Sequence, residues 1–290
     1  MAAAVTEAIV SMQFSRVIAT EPNGDTSNFS MKAFNLRELG EVASPVLHLD
    51  DFIVSGRPFP PHPHAGFAAV TYVFEDSPGG LRSRDSLGND WVTGPGGIVW
   101  THAGSGMIHH EVPAETGRPL HGLQIFVNLS SKNKLTAPRL MRLTRSEVPE
   151  WRGSAGDRVR VLVGSFEGIT SPLVPMEPFT LLDVELRNIL SLSFEAGHNA
   201  LVYTVDGDVI VRTDGRRQDV KREQSMAIYG AGGVVTFESV RSTHCVVLSG
   251  PQIREPVIAD GPFIMNDSTQ IKSAFARYRA GEMGHLEPLS

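Results

Sequence analysis

Apolar residues in this chain come in short runs, and glycine or proline cuts off almost every run before it reaches helical length. Ala69-Val70-Thr71-Tyr72-Val73-Phe74, Gly97-Ile98-Val99-Trp100 and Leu123-Gln124-Ile125-Phe126-Val127 are rich in β-branched and aromatic residues and read as strands. Ser77-Pro78-Gly79-Gly80, Leu87-Gly88-Asn89-Asp90 and Gly94-Pro95-Gly96 stand between them as turns. Many short strands broken by frequent turns lead to a sandwich or a barrel.

A second β-rich block runs from about residue 158 to 250. Arg158-Val159-Arg160-Val161-Leu162-Val163 opens it, and Ala200-Leu201-Val202-Tyr203-Thr204-Val205 leads into the Asp206-Gly207 turn. Gly233-Val234-Val235-Thr236-Phe237 and Cys245-Val246-Val247-Leu248 close it. The stretch from Ser131 to Gly156 is polar and carries Pro138, Pro149, Gly153 and Gly156. A chain of 290 residues favours two domains. The expected division is therefore 1–145 and 146–290. The two blocks share a texture, which suggests a duplicated β fold, but no matching residues support that.

One helix is expected near the end. Asp267 is its N-cap and Gln270 the capping-box partner. Ile271, Ala274, Phe275 and Tyr278 form an apolar stripe, and Gly281 stops it. The stripe should lie on a barrel wall.

Composition narrows the function classes. A net charge of −6 disfavours direct nucleic-acid binding. A single cysteine excludes an internal disulfide framework and an all-cysteine metal site. Met1 to Gln13 lacks a basic n-region, and Glu7 interrupts its mild apolarity, which argues against a secretory leader. No run approaches membrane-spanning length. A cytoplasmic protein is the expectation.

Ten histidines are present, and seven lie between His48 and His121. Side chains on a strand alternate faces. His62 and His64 thus share a face, as do His109 and Glu111, while His110 points opposite. If both segments are strands of one barrel, a single interior collects three imidazoles and one carboxylate. Such a set binds a divalent metal, and nitrogen and oxygen donors without thiolate admit iron(II), manganese, nickel, copper or zinc. His102 is expected to be a packing residue, and His121 to hydrogen-bond a ligand from behind. His198 stands without a second ligand and reads as structural or surface. Cys245 should be buried and inert, because its neighbour His244 faces the other way.

Two stretches carry a resemblance to a known family. The first is Phe59-Pro60-Pro61-His62-Pro63-His64-Ala65-Gly66-Phe67, followed by Trp100 to Glu111 and His121 to Leu129. The second is Gly250-Pro251-Gln252-Ile253-Arg254-Glu255-Pro256-Val257, continuing to Asn266. Both resemble the pirin family of the cupin superfamily. The resemblance implies a mainly all-β protein of two facing cupin-type β-barrel (jelly-roll) domains with a C-terminal helix. It implies one metal in the front domain, most often iron(II), on His62, His64, His109 and Glu111, and no metal in the back domain. The sequence departs from the family at Ala65 and Ala68, where arginine and an acidic residue are frequent, and these changes are expected near the cavity mouth. Pro95-Gly96-Gly97 replaces a Pro-Gly-Asp turn, and His102 stands where threonine is common.

Several members resemble quercetin 2,3-dioxygenases, which open a flavonol ring with O₂ and release carbon monoxide. That implies an oxidoreductase with a small flavonol-like substrate and Glu111 as the catalytic base. Other members look like redox- or metal-responsive regulators of a transcription factor or a metabolic enzyme, which makes a protein partner the alternative. A metal-stabilised barrel without catalysis is the third reading.

Overall fold

The computed structural model describes residues 11–26, 28–239 and 241–289. The expected absence of a leader rests mainly on residues outside that set. Among the described residues no helix is long and apolar enough to cross a membrane.

Each half is a pair of antiparallel sheets in jelly-roll fashion. The large front sheet runs in the order Arg139–Leu143, Ile98–His102, Phe67–Val73, Leu120–Asn128, Val46–Val54, Phe29–Ala33, Glu21–Thr26. Facing it are His62–His64, Met107–Pro113, Leu81–Asp85 and Asp90–Thr93. The large back sheet runs Met12–Phe14, Gln224–Gly230, His198–Asp206, Thr243–Pro251, Thr180–Leu186, Arg158–Val163, Glu150–Arg152. Ile189–Phe194, Gly233–Glu238, Val209–Thr213 and Arg216–Val220 face it. The chain passes from the front sheet to the back sheet between Leu143 and Glu150. Before that, Met12–Phe14 and Ile18–Ala19 have already paired with Gln224–Gly230 of the back half.

The two large sheets are stacked, and this explains the apolar runs. Phe67–Val73 is buried at every position. Ala68, Val70 and Tyr72 enter the core between the halves with Leu201, Tyr203, Val246 and Leu248. Phe67, Ala69 and Val73 turn to the other side. A strand covered on both faces loses its polar alternation. The interior of the back half is filled by Val159, Val161, Leu182, Val184, Val202, Phe237 and Val247. The interior of the front half is left partly open.

The stacked sheets also carry a repeated polar unit. Leu123 lies opposite both Tyr72 and Asp51, and Val246 lies opposite both Tyr203 and Asp183. His121 and His244 each stand two residues before that shared point. His121 donates to Asp51 at 2.9 Å, and His244 donates to Asp183. The tyrosines cross over: Tyr72 donates to Asp183, and Tyr203 donates to Asp51 at 2.5 Å. Lys32 stands opposite Asp51 in register, as Arg160 does opposite Asp183. The halves therefore match residue by residue at their contact, which the texture of the sequence alone did not reveal.

The terminal helix is Ser268–Arg279. Asp267 caps it by accepting from the amides of Thr269 and Gln270. Gln270 accepts from the amide of Asn266, one residue before the cap, so the reciprocal bond of the expected box is displaced. Ile271 and Ala274 are buried against Ala65, Ile108, Phe263 and Met283, while Tyr278 is exposed. The helix thus closes over the outside of the front-half strands that carry the histidines.

Candidate metal centre

His62–His64 is an edge strand, which is why it tolerates Pro63 without an amide hydrogen. It pairs antiparallel with Met107–Pro113, placing His109 opposite His62 and Met107 opposite His64. The ring centroids of His62, His64 and His109 are 4.6–4.8 Å apart. One nitrogen from each lies within 4.8 Å of the others.

The tautomer of His62 is set by the backbone. Its Nδ1 lies 2.9 Å from the Pro60 carbonyl, which can only accept, so Nδ1 carries the hydrogen and Nε2 the lone pair. That Nε2 is 3.0 Å from Nε2 of His109. The spacing is the one two imidazoles adopt on a shared ion, given metal–nitrogen bonds of about 2.0–2.1 Å. Burial drives His64 down to about 3, with the neighbouring His62 adding to the effect. Burial lowers His62 as well and holds His109 well below the ordinary histidine range. All three are therefore neutral and able to donate. The donor chemistry and its spacing fit a divalent ion.

Glu111 lines the same cavity but lies outside the three-histidine cluster. Its Oε2 accepts from the Thr71 hydroxyl at 2.6 Å. Burial pushes it up to about 6, against the lowering effect of the Thr71 bond. Thr71 also approaches Gln124 Oε1 at 3.2 Å, and the Gln124 amide donates to the Val70 carbonyl. The cavity measures about 290 Å³; His48 and Asp50 also line it, and the rest of its wall is apolar, with Phe29, Met31, Phe52, Phe59, Leu120 and Phe126.

The remaining histidines separate cleanly. His102 is buried and bonds to Thr136 at 2.8 Å. His110 does not line the cavity. His198 is partly exposed beside Glu195. Cys245 lies in the apolar back-half core, where burial pushes its thiol up to about 12. His121 is a correction: it serves the contact between the halves and not the metal ligands. Ala65 and Ala68 are a second correction. Both are fully buried, Ala65 beneath Phe263 and Met265 and Ala68 in the core between the halves, and neither reaches the cavity mouth. His48 and Asp50, which no motif singles out in the sequence, also line the cavity from Val46–Val54. Their spacing of two on a strand was the available signal.

The family model for Pirin matches residues 12–127, and that for the Pirin C-terminal cupin domain matches 181–284. The human protein named Pirin is 35% identical over 246 residues, covering 83% of each chain. The chain belongs to the pirin family. Within that pirin framework, a Pseudomonas aeruginosa protein whose name proposes quercetin 2,3-dioxygenase activity is 31% identical, over 80% of this chain and 81% of its own. The crystal structure of a quercetin 2,3-dioxygenase from Acinetobacter baumannii superposes with a TM-score of 0.82 at 25% identity. It covers 94% of this chain and 98% of that one. This pirin-family chain thus shares the two-domain cupin fold across nearly its full length.

Proposed function

We propose that the protein binds one iron(II) ion through His62, His64, His109 and Glu111 and catalyses the O₂-dependent opening of a flavonol ring. The observation that carries this is the convergence of the three histidines in the wall of an apolar cavity that also holds Glu111. The names of the Pseudomonas and Acinetobacter relatives support the substrate class.

A divalent ion bound there would supply a Lewis-acidic, redox-active centre where the flavonol and dioxygen meet. The chain's own residues do the rest. Three neutral imidazoles and one carboxylate leave a divalent site near +1, which favours a deprotonated flavonol. Glu111 takes the 3-hydroxyl proton of the substrate, and the Thr71 hydroxyl keeps its Oε2 in place. Phe52, Phe59 and Phe126 cover the flavonol rings and exclude water from the reacting edge.

The test joins metal analysis of the purified protein to oxygen uptake with quercetin. Iron at one equivalent and uptake that disappears on chelation are expected. Equal quercetin decay with stripped protein would overturn the catalytic reading. Bound iron without any uptake would favour the regulatory alternative.

A further inference from the structure

We propose that His48, held by Asp50, is a specificity-determining residue that accepts a hydrogen bond from a second phenolic hydroxyl of the substrate. The inference rests on the flavonol reading above and extends it to the far wall of the cavity.

His48, Asp50, Phe52 and Val54 occupy alternate positions of one strand, and all four line the cavity. Leu49 and Asp51, between them, serve the contact between the halves. In register, His48 stands beside Phe126 and Asp50 beside Gln124. The His48 ring lies on Phe126 with centroids 4.8 Å apart and a tilt of 32°. Phe126 in turn contacts the His64 ring at 5.7 Å. A ligand that reaches the three histidines along this wall therefore passes the His48 ring.

The chemistry of the pair is specific. Asp50 is 1% exposed, with Oδ2 on His48 Nε2 and Oδ1 buried without a partner. A carboxylate buried with one unpaired oxygen costs free energy that packing alone would not require. Its visible effect is to fix the hydrogen of His48 on Nε2. The other ring nitrogen, Nδ1, is then an acceptor. The ring is half-exposed and its site lies outside the metal cluster. An acceptor on an apolar wall selects a ligand that donates, and on a flavonol the donor is a phenolic hydroxyl. The substrate class is thus narrowed from flavonols in general to those bearing a hydroxyl distant from the reacting 3-position.

Anaerobic calorimetry on the metal-loaded protein tests this with quercetin and with 3-hydroxyflavone, which lacks the additional hydroxyls. The wild type should bind quercetin roughly tenfold more tightly, the size of one good hydrogen bond. His48→Leu should abolish that preference, weakening quercetin by about tenfold more than 3-hydroxyflavone. Asp50→Asn, which retains the shape but lets the His48 ring take either tautomer, should reduce the preference with no loss of melting midpoint. A preference that survives His48→Leu, an equal weakening of both ligands, or a wild type that discriminates between neither would overturn the proposal. Discrimination without oxygen uptake would sink the ring-opening reading alone. Uptake on both flavonols without discrimination would sink this proposal alone.

Discussion

Nε2 of His62 and Nε2 of His109 face each other at 3.0 Å across two antiparallel strands. Two neutral imidazoles so placed present lone pairs to the same point unless one holds a hydrogen between them. Replacing both residues with alanine should reduce bound metal to background by mass spectrometry while the far-ultraviolet spectrum remains that of the wild type. In the intact protein, ion at a thousandfold excess over its dissociation constant adds about 4 kcal/mol of stability, so chelation should lower the melting midpoint by several degrees.

Glu111 is tied to Thr71 and lies in the cavity, so Glu111→Gln keeps the shape and removes the charge. Oxygen uptake with quercetin should fall by about a hundredfold or more, the usual contribution of a positioned base. Thr71→Val should give a smaller loss, because it removes only the group that holds the carboxylate. A Glu111→Gln rate equal to the wild type would remove this residue from the chemistry.

The turn directly behind His64 has little room. Gly66 has φ +86°, and a Cβ added there would meet the Ile264 carbonyl at 1.9 Å. Buried Lys134 fastens the same place, donating to the Gly66 carbonyl at 2.9 Å and to Asn128 at 2.6 Å. Gly66→Ala should destabilise by more than about 3 kcal/mol and release the terminal segment, read as new protease cleavage after residue 260. Lys134→Met should cost about 1–3 kcal/mol in denaturant titrations, since it takes the ammonium donor from the Gly66 and Ile264 carbonyls and from Asn128 Oδ1.

The contact between the halves is sensitive to pH. Burial works against the charged forms of His244 and Asp183, but their mutual charge and hydrogen bond, helped by Asp76 and Glu185 for the histidine and by Tyr72 and Arg160 for the aspartate, together outweigh it, so His244 is raised above 6.5 and Asp183 lowered below 3.8. The histidine contribution is complete below 6.5 and is lost as pH rises through its folded value. The aspartate contribution is complete above 3.8 and is lost as pH falls through its folded value. The pair therefore stabilises most between those limits. The melting difference between wild type and His244→Gln should be largest between pH 3.8 and 6.5 and shrink as pH rises above that window. A difference independent of pH would exclude this pair as its source.

Much of the site could be read from spacing alone. Strand parity puts His62 with His64 and His109 with Glu111, and a single interior does bring the three histidines together. Parity does not report pairing partners. That His109 stands opposite His62, and not several residues along, is a matter of register between strands far apart in the chain. His48 and Asp50 had the same period-two signal, but nothing in the sequence tied Val46–Val54 to this cavity. Ala65 and Ala68 were misplaced because a cavity mouth and a buried seam look alike when only adjacent residues are known. The helix was legible, since its cap, stripe and stop are local. The pairing of Met12–Phe14 with Gln224–Gly230 was not, because it spans most of the chain.

The crossed tyrosines carry a consequence for stoichiometry. Each repeat presents an aspartate whose last donor belongs to the other repeat. A single copy would be self-complementary about a two-fold axis and would complete that carboxylate only by meeting a second copy. Joined in one chain, the two copies sit at a high local concentration that dilution cannot lower. The tandem arrangement thus turns what would be an association equilibrium into a permanent feature of the single chain.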